Sequence, residues 1–116
     1  MFQDMASFAS LMRSAGELRR KMETITEELR SKRVTGSSGG GMVEVEANGL
    51  GGILKVRIEP ALVENREREM IEDLLPAAVN QAIEKSRELH MTLTKSATEG
   101  LSLPGLEEAL SKLMDR

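Results

Sequence analysis

"MVEVEANGLGGILKVRIEP", residues 42–60, decides how this chain folds. Val43, Val45 and Ala47 alternate with Glu44 and Glu46, and beyond "NGLGG" Leu54, Val56 and Ile58 alternate with Lys55, Arg57 and Glu59. A period of two is that of a strand with one buried face, and an Asn-Gly turn between two such runs reads as a hairpin. A register in which facing residue numbers sum to an odd value sets Glu46 beside Lys55 and Glu44 beside Arg57, and it turns the aliphatics to the other face. A short strand around Val34 and Thr35 is expected alongside. Two or three short strands rarely stand alone, and a free edge invites pairing with another chain.

The tract just before the hairpin, "GSSGGG" at residues 36–41, resembles a phosphate loop only in composition. Such a loop needs its glycines to open into a helix N-terminus, usually with Lys and then Ser or Thr, whereas Gly39, Gly40 and Gly41 lead into a strand. The tract reads as a flexible connection between strands.

Both flanks of the sheet are helical. From Phe8 the apolar residues fall at Leu11, Ala15, Leu18, Met22, Ile25 and Leu29, in alternating steps of three and four. This heptad seam predicts a helix over 4–32, packed lengthwise on another helix and far too long for a small sheet to cover. A second helix is expected over 66–100, with Asn65 as its N-cap and an apolar line at Ile71, Leu75, Ala78, Ala82, Leu89 and Leu93. The small residues in its middle predict close packing, and Pro76 predicts a kink or break near residue 75. "LPGLEEALSKLMDR" predicts a short helix over 105–114, with Leu106, Leu110 and Leu113 on one side. The fold class is therefore α+β, in the order α-β-β-β-α, with a small antiparallel sheet (33–59), two long helices and a short C-terminal helix, in one domain over 1–116.

Composition narrows the function. Hydrophobic residues are 40% and charged residues 30% of 116, as in a globular protein, with no cysteine for disulfides or thiolate sites. No window approaches a membrane span, and Asp4 stands where a signal peptide carries positive charge, so the chain reads as cytoplasmic. Tryptophan and tyrosine are absent and phenylalanine occurs only at Phe2 and Phe8, which removes the platforms that stack single-stranded bases. Residues 1–41 carry seven Lys/Arg against five Asp/Glu, and residues 42–116 carry nine against fourteen, so the net charge of −3 hides a basic front.

A catalytic or metal-binding constellation does not emerge. His90 lacks companions for a ligand set or a general base. Glu72 and Asp73, adjacent on a helix, point to different sides and complement its N-terminus. Ser37 and Ser38 lack a recognisable base. The methionines are scattered, as packing residues are. No enzyme activity, cofactor, metal or small-molecule substrate is expected.

The order and spacing of these pieces, carried by "VTGSSGGGMVEVEANGLGGILKVRIEPALV" and "EMIEDLLPAAVNQAIEKSREL", resembles the bacterial YbaB/EbfC family of nucleoid-associated DNA-binding proteins. A methionine-rich first helix, the "VTG" lead, the Asn-Gly turn, the "I-x-P" strand end, "ED", "AAVN" and the late "LPG" all take part. The resemblance implies a homodimer in which two sheets join into one layer and the long helices project in a tweezer-like outline. It further implies duplex DNA as partner, bound through basic residues toward the helix ends, and a nucleoid location with a role in nucleoid organisation or gene regulation.

The candidates for phosphate contact are Arg13, Arg19, Arg20, Lys21, Arg30 and Lys32 on the first helix and Arg33 just after it. With Phe8 at heptad position a, Arg13 and Arg20 occupy the outward f position, flanked by Arg19 at e and Lys21 at g; such a stripe can follow a DNA backbone. Weighing against this, Glu17 lies four residues from Arg13 and Lys21, Glu28 four from Lys32, and Glu23 and Glu27 three from Arg20 and Arg30, the spacing of ordinary solvated ion pairs. Lys85, Arg87 and Lys95 form a second group, set among Glu84, Glu88 and Glu99. The tail around Glu107 and Glu108 offers only Lys112 and Arg116 as positive groups, so the family's use of the late helix transfers poorly, and whether the C-terminal helix contacts DNA stays open at this point. The alternative is a protein-protein interaction module that uses the projecting helices, with DNA association incidental.

Overall fold

The computed structural model of the protein describes the backbone of residues 2–99 and the side chains of residues 5–99. In chain order it holds α1 (Phe2–Ser31), β1 (Arg33–Ser38), a 3-10 turn (Gly39–Gly41), β2 (Val43–Asn48), β3 (Ile53–Ile58), α2 (Pro60–Glu64) and α3 (Arg68–Glu99). The helix expected over 105–114 lies outside the described residues.

The three strands form one antiparallel sheet in the order β1-β2-β3. Glu44 faces Arg57 and Glu46 faces Lys55, in the odd-sum register that the charge pattern demands. A bulge between Glu46 and Ala47 then moves the pairing to Ala47 with Ile53. At the turn, the Asn48 side-chain oxygen accepts hydrogen bonds from the Leu50 and Gly52 amides, both at 2.9 Å, which fixes the hairpin locally.

The glycine tract is an ordered turn, not a slack connection. Gly39, Gly40 and Gly41 have φ of 61°, 66° and 95°, three successive positive values that only glycine adopts without strain. They reverse the chain between β1 and β2 within a single 3-10 turn.

α3 lies across β1 and β2. Its Ala78, Ala82 and Ser86 are buried, and Val43, Val45 and Ala47 beneath them are completely so. The approach is close enough that a Cβ on Gly36 would stand 2.2 Å from the Ala78 carbonyl oxygen and 2.5 Å from the Ala82 amide nitrogen. The small-residue middle of α3 is thus explained by backbone packing on backbone. Leu62, Ile71, Leu74, Leu75 and Val79 complete this core.

One expectation for the second helix needs correction. Asn65 is not its N-cap: it is the C-cap of α2, a single turn that opens with Pro60, whose fixed φ suits a first helical position. A turn follows in which Arg66 takes a positive φ of 55°, and α3 then starts at Arg68. Of the kink or break expected near residue 75, the break does not occur, because α3 runs unbroken through Pro76. Pro76 and Glu72 are exposed, so water can satisfy the carbonyl that loses its amide partner.

At the hairpin turn α1 is tied to the sheet by a hydrogen bond, the Gly49 amide donating to the Leu29 carbonyl oxygen at 2.8 Å. Ile25 and Leu29 are buried, Leu18 and Met22 half-buried, and Phe8, Leu11 and Ala15 exposed. Only the C-terminal part of the heptad seam is therefore packed. The outline is long, 77 × 30 × 17 Å, with a radius of gyration of 21.5 Å where a compact chain of this length has about 13 Å.

Gly36→Ala is expected to destabilise the protein by about 2–3 kcal/mol, since neither backbone atom facing the new methyl can yield. Gly16→Ala, where an added Cβ meets nothing within 4 Å, is expected to be neutral or stabilising by up to about 1 kcal/mol. Urea unfolding of the two variants beside the parent checks both.

Candidate nucleic-acid interface

Every candidate cation is exposed, and the fold sorts them into three groups. Arg13, Arg19, Arg20 and Lys21 lie on α1 away from the sheet. Arg30, Lys32 and Arg33 lie where α1 passes into β1. Lys85, Arg87 and Lys95 lie on α3. Arg13 and Arg20, two helical turns apart, are separated by about 10 Å along the axis, the rise of about three base pairs of duplex.

Ion pairing then divides the groups. Arg19 pairs with Glu23 at 3.2 Å, Arg30 with Glu27, and Arg33 with Glu46 across the sheet at 3.4 Å. Glu23 thus takes Arg19 rather than the expected Arg20, and Glu17 and Glu28 take none of the partners that their spacing offers. Among the described residues, Arg13, Arg20, Lys21, Lys32, Arg87 and Lys95 make no ion pair. The α1 row at Arg13, Arg20 and Lys21 is the longest run of uncompensated charge that the sequence-predicted residues provide.

Two of the candidates are tied into the fold. Arg33 also donates through Nη1 to the carbonyl oxygens of Arg30 and Lys32, both at 3.0 Å, and so fastens the helix-to-strand junction. Lys85 donates through Nζ to the Thr35 carbonyl oxygen at 2.7 Å, and Gln81 Oε1 accepts from the Ser37 amide at 2.6 Å. These two side chains of α3 cover the outer edge of β1. The charge pattern around Lys85 held no signal of that role, because its partner lies fifty residues away in sequence.

The other edge of the sheet is different. α3 leaves most of β3 uncovered: Ile58 packs against the core, whereas Ile53, Leu54 and Val56 are 42–48% exposed. Sequence reading counted β3's aliphatics as core, since their alternation is the same as that of β2; only the placement of α3 separates the two strands. Arg57 and Glu44, paired at 3.0 Å, belong to the polar face of the sheet.

With this geometry in view, comparison with known proteins is decisive: residues 5–101 match the YbaB/EbfC DNA-binding family. The chain belongs to that family. A nucleoid-associated protein of Desulfotalea psychrophila is 43% identical over 103 residues, which cover 89% of this chain and 97% of that one. Another, from Afipia carboxidovorans, is 42% identical over 88% of this chain and 97% of its own. The crystal structure of an uncharacterized protein from Helicobacter pylori shares the fold, with a TM-score of 0.66 and 28% identity over 77% of this chain and 94% of that one. The YbaB/EbfC resemblance read from the sequence and the α+β architecture both stand.

Within this YbaB/EbfC fold Lys85 is expected to act chiefly on stability. Lys85→Ala should cost about 0.5–1.5 kcal/mol in urea unfolding, since an exposed hydrogen bond from a charged donor is largely offset by water. Arg87→Ala, without such a bond, should leave the transition where it is.

Proposed function

We propose that this protein acts as a homodimer that grips duplex DNA mainly through its phosphates, in the nucleoid, with a role in nucleoid organisation or gene regulation. The observation that carries the reading is the exposed row Arg13, Arg20 and Lys21, unpaired among the described residues, on a projecting helix of a DNA-binding family member. Such a row meets phosphates and carries no base readout of its own. Arg30, Lys32 and Arg33 extend it toward the sheet, and Arg19 joins when DNA displaces Glu23. Arg87 and Lys95 offer secondary contacts.

The dimer rests on the asymmetry of the sheet edges. α3 side chains tie down β1, whereas β3 shows an apolar face and an edge with no side-chain cover among the described residues. Pairing β3 with β3 of a second copy buries Ile53, Leu54 and Val56 and removes the free edge. Val56→Asp should then convert a dimer into a monomer in size-exclusion chromatography with light scattering. A parent protein that is already monomeric at high concentration would refute the edge pairing.

Affinity for a duplex of arbitrary sequence should fall with salt at a logarithmic slope of about −0.9 per phosphate neutralised. The triple variant Arg13→Ala, Arg20→Ala, Lys21→Ala should weaken binding to all duplexes alike and flatten the slope by about 0.9 for each phosphate no longer neutralised. Equal binding by parent and variant at every salt concentration would remove the α1 row from the interface. The pairing of Arg19, Arg30 and Arg33 with acids favours the second reading, a protein-partner module, and binding that hardly responds to salt would support it.

A further inference from the structure

The heptad seam of α1 is packed at one end and exposed at the other. Ile25 and Leu29 are buried, while Met5, Phe8, Leu11 and Met12 are 58–70% exposed. Near the C-terminal end of α3, Ala97 shares a groove with Arg20, Lys21, Thr24 and Ile25. At 100° per residue that side of α1 lies about a third of a turn round from Leu11 and Ala15, so α3 approaches without covering them. The exposed stretch also carries no charge on its apolar side. In the heptad that puts Phe8 at a, Ala15 shares a, Leu11 and Leu18 take d, Met5 and Met12 take e, and Ser7 and Ser14 take g. Arg13 and Glu17, the charged residues between 5 and 18, fall at f and c on the outer side. A face that is apolar at a, d and e and uncharged at g fits a second apolar helix.

We propose that this face docks on the same face of a second copy, with the two α1 helices antiparallel about a two-fold axis level with Arg13. In an antiparallel pair the a residues of one helix layer with the d residues of the other. Setting Phe8 on the partner's Leu18 also sets Leu11 on the partner's Ala15, and the axis repeats both layers. The flanks then bring Met12 beside the partner's Met12, Met5 beside the partner's Arg19, and Ser7 beside the partner's Lys21. All four exposed apolar side chains are covered, and no like charges meet. A parallel pair would instead layer Phe8 on itself and Ala15 on itself, a crowded layer followed by a gap, which close packing disfavours. Arg13 and Arg20, at f, stay on the outside, so the proposed phosphate row remains exposed. The overlap from Met5 to Lys21 is about 24 Å of helix, short enough that the arms join only at higher concentration than the sheet edges do. The seam and the β3 edge are separate surfaces of one chain, so both can be occupied at once, and dimers are then linked through their arms.

The protein contains no cysteine, so single-cysteine variants report cleanly. In the full-length protein at high concentration, Met12→Cys should close an intersubunit disulfide on oxidation, because the two-fold axis brings these side chains together. Ser10→Cys, at the outward c position, should not. Equal yields from the two variants, or none from Met12→Cys, would overturn the antiparallel seam. As a second measurement, the mass of the parent by light scattering should double as protein concentration rises, and Leu11→Asp should abolish the doubling with far-UV circular dichroism unchanged. A parent mass that stays constant, or the same doubling in Leu11→Asp, would overturn the proposal as well. Val56→Asp separates this surface from the sheet edge: monomeric at chromatographic dilution, it should still double its mass at high concentration, and adding Leu11→Asp should remove that step. No DNA enters these measurements, so their outcome is independent of the function proposed above.

Discussion

The contact on which the architecture depends is the near touch of two backbones, β1 at Gly36 and α3 at Ala78 and Ala82. No side chain larger than hydrogen fits between them, and the alanines at a four-residue spacing let the helix lie flat on the strands. This fixes α3 over β1 and β2, where Val43, Val45 and Ala47 are completely shielded from water. Because the helix sits so close, its polar side chains also reach round the sheet edge, with Gln81 to the Ser37 amide and Lys85 to the Thr35 carbonyl. Ser38 adds a hydrogen bond from its hydroxyl to the Leu74 carbonyl at 2.7 Å. One edge of the sheet is closed by these bonds, and the same offset leaves β3 open at the other.

The long outline follows from the same placement. α3 runs over the sheet only as far as Ser86, which lies beside the Asn48–Gly52 turn, and its remaining turns continue past the strands. α1 enters at that same end, held by the Gly49 amide on the Leu29 carbonyl, with too little room for a Cβ on Gly49. The two helices therefore leave together from one end of a three-stranded sheet. A chain of this size folded as a lever gives up burial that a compact domain would gain, and the exposed apolar residues of α1 and β3 are what it leaves bare.

How much of this was legible in the sequence depended on whether the determinant was local. The β2–β3 register was readable because Glu44, Glu46, Lys55 and Arg57 admit one pairing that also segregates the aliphatics. The close packing of α3 was readable from its alanines, since a run of small side chains at the centre of a helix lets a neighbouring backbone approach. Asn65 misled, because an N-cap residue followed by acids is locally indistinguishable from the end of a one-turn helix whose anchor, Leu62, is set by tertiary packing. At Pro76 a kink and a break were both open to the reading, and the helix does not break because the orphaned carbonyl faces solvent, which a sequence does not state. At the candidate site, charge spacing identified which residues can pair but not which do: Glu23 had several arginines in reach, and the rotamers chose Arg19.

A net charge of −3 is no obstacle to a DNA-binding surface on this architecture, because the fold separates the charges. Glu64, Glu67, Glu69, Glu72 and Asp73 cluster around α2 and the start of α3, at the glycine-turn end of the sheet, where Ser38 meets Leu74. α1 attaches at the opposite end, a six-residue strand or about 20 Å away, and Arg20 and Arg13 stand roughly 13 and 24 Å farther out along the helix from Leu29. The Debye length at physiological ionic strength is about 8 Å, so the acidic end is screened from the arginine row by several such lengths. The charge that an approaching polyanion meets on α1 is set by near neighbours, Glu17 and Glu23 against Arg13, Arg19, Arg20 and Lys21, and that balance is positive.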